Sequence, residues 1–230
     1  MSGRLASFRG PSTPNSSPVQ RQPTTPKSPA RPTESTYHRK LRTCLLELRG
    51  ITETWDDLVL VDGLKAAKSL VDTRTELDNA LSLIPDRRPR TRIVGPKLLI
   101  MDKRISELDA VIAKLQKQFR KMNTVIDTME GLVAEAHKNK GWNWVQHEPL
   151  WVTWSLNKFV TSIPDILPVY HRELTTHKEL VDSLRSHSVS FDDSRSAITK
   201  WTEQPWIEVS GWEARWEDIC VVEIDRWEGS

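Results

Sequence analysis

From Leu98 to Ala136 apolar side chains recur at alternating spacings of three and four residues: Leu98, Met101, Ile105, Leu108, Ile112, Leu115, Phe119, Met122, Ile126, Met129, Val133 and Ala136. This is the a/d pattern of a helix that keeps one apolar stripe on one face. About 40 residues at about 1.5 Å each make a rod of about 60 Å. A seam that long has to be covered, because a solitary amphipathic helix lacks the tertiary burial that stabilises it. The chain is thereby directed toward a coiled coil, a helical hairpin or a bundle. Met101, Met122 and Met129 lie on the stripe and read as core packing, although methionine-rich seams also accept varied partners.

A covering helix is available upstream. Leu41, Leu45, Leu48, Ile51, Trp55 and Leu58 again step by three and four, and after Val61-Asp62-Gly63, where a break or bend is expected, Leu64, Ala67, Leu70, Val71, Leu77 and Leu81 resume the pattern. Pro85, Pro89, Gly95 and Pro96 are expected to end it. Residues 37–140 thus read as an antiparallel helical hairpin or coiled coil with an Arg-rich linker at 85–96. The seam residues Ile105, Leu108, Ile112, Leu115, Phe119 and Met122 are expected to bury against the chain's own first helix and against a partner's coiled coil.

Residues 141–230 differ in texture. Nine of the ten tryptophans lie here, with Trp142, Trp144, Trp151 and Trp154 crowded around Pro149. A third helical region is expected from about Leu156 to Ser186, which Pro164 and Pro168 must start, kink or interrupt. Asp192 or Asp193 can cap a short helix that ends at Gln204-Pro205, and a last helix at about 211–226 is expected to turn its acids outward. No strand alternation or Asn-Gly hairpin stands out. The fold class expected is therefore all-α: an elongated hairpin followed by a smaller Trp-rich helical module.

Charge is distributed unevenly behind a near-neutral total of +2. Residues 1–36 carry Arg4, Arg9, Arg21, Lys27 and Arg31 against Glu34, whereas 202–230 carries eight acids against Arg215 and Arg226. The first 32 residues also hold seven of the fourteen prolines, among Ser, Thr and Arg, and a stretch so poor in apolar side chains is expected to be disordered. Of its Ser/Thr-Pro steps, Ser28-Pro29-Ala30-Arg31 matches what a proline-directed cyclin-dependent kinase prefers, which makes Ser28 a candidate phosphosite.

The residues offer little for catalysis. Gly-rich phosphate loops, a GxSxG elbow and an HExxH motif do not occur. Cys44 and Cys220 lie far apart in apolar runs, so neither a disulfide framework nor a CxxC site is expected. His171 and His177 are six apart, a poor spacing for metal ligation on a helix, and solvated or core-edge positions are expected. No cofactor or metal is expected. The cluster Arg87-Arg88-Pro89-Arg90-Thr91-Arg92 suits a nuclear-localisation signal or a solvated loop, and is too short to predict direct nucleic-acid binding. No apolar run approaches the roughly 20 residues of a membrane span, and a secretory h-region is not evident; the expectation is a soluble, intracellular protein. Among the tryptophans, most should be core and a minority, such as Trp142, Trp144 and Trp227, should contact a partner.

Trp154, Phe159, Tyr170, Glu173-Leu174, Lys178 and Leu184, then Trp201-x-x-Gln204-Pro205-Trp206-Ile207-Glu208, and finally Glu217 and Glu223, resemble in type and spacing the cyclin-dependent kinase 2-interacting protein family. Ile51, Trp55, Leu58 and the small Ala66-Ala67 before Leu70 resemble that family's first block. The resemblance implies a non-enzymatic nuclear adaptor, with or without a cytoplasmic pool. It implies links to DNA replication kinases, to genome-maintenance checkpoint signalling and to a AAA+ ATPase assembly that acts in ribosome maturation, where a related helical subunit pairs with the family member. Trp201, Gln204, Pro205, Trp206, Ile207 and Glu208 are then expected to shape a C-terminal partner surface. Two other readings fit the heptads or the composition: a coiled-coil subunit of a kinetochore or vesicle-tethering assembly, and a hydrolase or transferase with an unrecognised site.

Overall fold

A computed structural model describes residues 34–84, 90–186 and 188–225. Ser28 and its tail, Arg87 and Arg88 of the linker, and Trp227 lie outside the described residues.

The heptad-bearing segment and the region upstream of it form the long helices that the spacing predicts. Helix α1 (Thr36–Asp56) runs through a π-helical stretch (Asp57–Gly63) into α2 (Leu64–Ser82), giving one rod of 47 residues. Helix α3 (Thr91–Lys140) returns antiparallel over 50 residues. It starts well before Leu98: Pro96 is inside the helix rather than ahead of it, in the second turn. At Val61-Asp62-Gly63, where a break or bend is expected, the helix does not break: the backbone passes through with its bonding widened to i→i+5.

After α3, Gly141 turns the chain at φ 85° into the short α4 (Trp142–His147). Among the described residues the only departure from helix, turn and loop is an isolated antiparallel bridge between Pro149 and Ser155. Helix α5 (Leu156–Ser162), a 3₁₀ turn (Ile163–Asp165) and α6 (Ile166–Arg185) form a third rod, with Pro164 placed in the turn where its missing N–H is tolerated. Then come α7 (Phe191–Glu203), α8 (Pro205–Ser210), α9 (Trp212–Ile219) and a second π segment (Cys220–Asp225). The cap of α7 is Ser190, whose Oγ accepts from the Asp193 N–H at 3.1 Å; Asp192 and Asp193 lie inside the first turn.

The fold is therefore all-α. Helix α3 packs on α1, α2 and α6, while α7 lies on α2 and α8 lies on α6. Leu41, Leu45, Leu48, Trp55, Leu70, Leu108, Leu115, Met122 and Met129 are buried together in one core. Arg74 is buried in the joint between α2 and the following helices. Its guanidinium donates to the Ser194 hydroxyl at 3.0 Å and to the Leu184 carbonyl at 2.7 Å, satisfying a carbonyl that the end of α6 would otherwise leave open.

Candidate functional site

The heptad seam and the Trp-Gln-Pro-Trp motif meet very different surroundings. Leu108, Ile112, Leu115 and Met122 are buried, and Ile105 and Phe119 are partly buried against the same core. Four of the six are thus interior to a single chain and two lie at its edge: the stripe on α3 packs on α1, α2 and α6. The burial against the chain's own first helix is as expected, and α5 and α6 pack on α3 as well.

The motif at 201–208 divides into an inward and an outward half. Trp201 is inserted against the π segment of the first rod, where its indole Nε1 donates to the Val59 carbonyl at 2.9 Å. Gly63 is what admits it: a Cβ at that position would stand 2.3 Å from Cζ2 of the Trp201 ring. The glycine in mid-helix therefore serves a close approach rather than a break. Gln204 is buried at φ 43°, a left-handed conformation that ends α7 and starts α8 in one residue. Its side chain holds both partners across the joint, accepting from Trp55 Nε1 at 3.0 Å and donating to the Asp56 carboxylate at 3.2 Å. Pro205 then supplies the first residue of α8, a position where no N–H is needed, and Ile207 is buried beneath it.

Two residues that spacing alone did not single out for this joint complete it. Glu173 and His177 on α6 are both fully buried, one turn apart. Glu173 Oε2 accepts from the backbone N–H of Trp206 at 2.9 Å and so anchors the first turn of α8. His177 Nδ1 lies 2.9 Å from the Glu173 carbonyl and 3.3 Å from Glu173 Oε1. The imidazole meets the Trp201 ring edge-on, centroids 4.4 Å apart. His177 is thus a core histidine, deeper than the solvated or core-edge position expected of it. In the last segment Glu213, Glu217, Asp218 and Asp225 are exposed, as expected, and one acid departs from that pattern. Glu223 faces inward, 2% exposed, and accepts from the backbone N–H groups of Val152, Thr153 and Trp154 at 3.3, 3.1 and 3.2 Å. It clamps the loop that carries Trp151 and Trp154. Trp144 packs on Tyr37 at 5.5 Å and is partly buried, while Trp142 is exposed beside His137.

The outward half consists of Trp206, Glu208 and the edge of Pro205. Trp206 is 43% exposed, with its indole N–H donating to Thr176 Oγ1 at 3.0 Å and the Arg172 guanidinium 5.2 Å above its ring. Beside it, Val209 is 83% exposed, and Pro168, Val169 and Arg172 complete a shallow, largely apolar groove of about 210 Å³. The ring is held by a hydrogen bond and a cation–π contact rather than by the core, so it is preorganised at the surface.

The titration shifts follow from the joint. Burial pushes the Asp56 carboxyl up, with Glu213 and Asp57 adding to that and the Gln204 amide opposing it. Burial likewise raises the Tyr170 phenol, reinforced by Asp56, Glu213 and Glu173, and lowers Arg74. The Cys220 thiol is pushed up to about 11, again chiefly by burial, and Cys44 is raised for the same reason. Both cysteines are unpaired and buried. Among the described residues no three His, Cys, Asp or Glu side chains are grouped as a metal-ligand set, and no helix is long and apolar enough to cross a membrane.

Comparison of the sequence with protein-family models and with curated proteins finds no match.

Proposed function

We propose that the protein is a non-enzymatic adaptor whose partner-binding surface is the outward half of the 201–208 motif, carried on a rigid helical frame. The observation that supports this reading most is the placement of Trp206: a large aromatic left 43% exposed beside an apolar groove, in a motif whose other tryptophan and glutamine are buried to hold it there. Exposed aromatics with a fixed rotamer are the residues from which interface hot spots are made. The resemblance to the cyclin-dependent kinase 2-interacting protein family supplies the partner classes: a related helical subunit, a AAA+ ATPase and cell-cycle kinases, in a nuclear setting of DNA replication, checkpoint signalling and ribosome maturation.

The test is affinity purification of the tagged chain from nuclear extract, followed by mass spectrometry, with Trp206→Ala compared with the wild type. Proteins of those classes should be recovered by the wild type and lost from the variant, while its thermal midpoint stays within a few degrees, since truncation of a half-exposed side chain costs about 1 kcal/mol or less. Recovery of the same proteins by both chains would remove the groove from the account.

A further inference from the structure

On the other side of the same joint, between α1 and the last two segments, lies a cavity of about 290 Å³. Its wall is acidic. Asp56, Glu213, Glu217 and Asp225 line it together with Arg49, and Arg49 already faces Glu53 at 3.3 Å. The neighbouring Arg215 turns to Asp165 instead, at 3.2 Å, and no lysine or arginine among the described residues pairs with Glu213, Glu217 or Asp225. The remaining wall mixes Leu60, Ile207 and Val221 with three aromatic rings, Trp212 and Trp216 stacked at 6.2 Å and tilted by only 18°, and Tyr170. Trp212 is buried, yet its indole Nε1 has no hydrogen-bond acceptor. Burial is the first cause of the raised Asp56 and Cys220, with the Gln204 amide opposing it at Asp56 and Arg49 at Cys220; Glu213 then adds to the rise at Asp56, and Asp225 and Glu217 at Cys220.

We propose that this cavity receives an arginine side chain from a basic segment of a partner protein. Unpaired carboxylates around a partly enclosed space repel one another, and a cation placed among them is attracted by several at once. A guanidinium suits the site better than an ammonium, because its planar fork engages two carboxylates and its face stacks on indole rings. The backbone carbonyl of the same segment offers the acceptor that Trp212 Nε1 lacks, which offsets the cost of that buried donor. The proposal deepens the adaptor reading and rests on it, but it concerns a different surface from the Trp206 groove.

Fluorescence anisotropy with the full-length chain tests it, using a labelled, end-capped Gly-Ser-Arg repeat peptide and its lysine and citrulline counterparts. The arginine peptide should bind saturably, the lysine peptide about tenfold more weakly, and the citrulline peptide not measurably. Glu213→Gln with Glu217→Gln should weaken arginine binding by about tenfold or more, whereas Asp127→Asn with Glu130→Gln, equal in charge but on exposed positions of α3, should leave it unchanged. All four side chains are exposed, so the fold tolerates these changes. Absence of saturable arginine binding, equal binding of lysine or citrulline, or equal weakening by the control pair would overturn the proposal. If binding fails while nuclear partners still co-purify with the wild type, the cavity is refuted and the adaptor reading stands; if the peptide binds and no partner co-purifies, the adaptor reading falls instead.

Discussion

The hairpin of α1, α2 and α3 and the module from α5 to the last π segment are built by opposite means. In the hairpin the interior repeats one device, a branched or straight aliphatic every three or four residues, so that Leu45, Leu48, Leu108 and Leu115 occupy equivalent sites along a continuous seam. In the module the interior is set by particular pairs: Trp55 with Gln204, Trp201 with Val59, Glu173 with Trp206, Glu223 with the loop at 152–154. Apolar burial is non-directional and roughly proportional to area, so it brings long helices together without choosing where a six-residue helix should sit. Hydrogen bonds from indoles, an amide and buried carboxylates have direction, and they place the short helices.

That contrast can be broken by substitution. The largest effect is expected for Leu115→Asp, which buries an unpaired carboxylate at a fully buried seam position and should cost on the order of 5 kcal/mol or more, abolishing cooperative thermal unfolding by circular dichroism. Were the seam a partner interface, the same variant would stay folded and lose only pairing. Next, Trp201→Ala removes the side chain that fills the π segment and should cost about 3–5 kcal/mol in urea unfolding, with the hairpin helices keeping most of their signal while the module loses its near-ultraviolet tryptophan bands. Smaller is Gly63→Ala, where the added methyl has to displace the Trp201 ring; about 1–3 kcal/mol is expected. An alanine that stabilised the chain, as it would in an ordinary helix, would show that the glycine serves no close approach.

Much of the hairpin was legible because its information is periodic. Every heptad position from Met101 to Ala136 is buried or packed against the core, as the spacing predicts. What periodicity could not convey is which protein covers the stripe: the pattern is the same whether the covering helix belongs to a partner or, as here, to α6 of the same chain. The role of Gly63 is hidden for a similar reason. A glycine after Val61-Asp62 looks like punctuation until the Trp201 ring, far away in the sequence, is found in the space it leaves. The motif at 201–208 was recognised as a unit, but its division into buried Trp201, Gln204 and Ile207 and displayed Trp206 and Glu208 depends on the left-handed turn at Gln204, which neither propensity nor spacing favours. One signal lay in the sequence itself: Glu173 and His177 stand one helical turn apart on the apolar face of their segment, where polar side chains look for partners within the fold.

The seam on α3 is filled by the chain's own helices. Native-state hydrogen exchange of the isolated chain, followed by mass spectrometry across a range of dilutions, tests this most directly. Peptides covering residues 105–122 should exchange among the slowest in the molecule, at a rate independent of protein concentration. Fast exchange there, slowing only as concentration rises or a partner is added, would contradict the account.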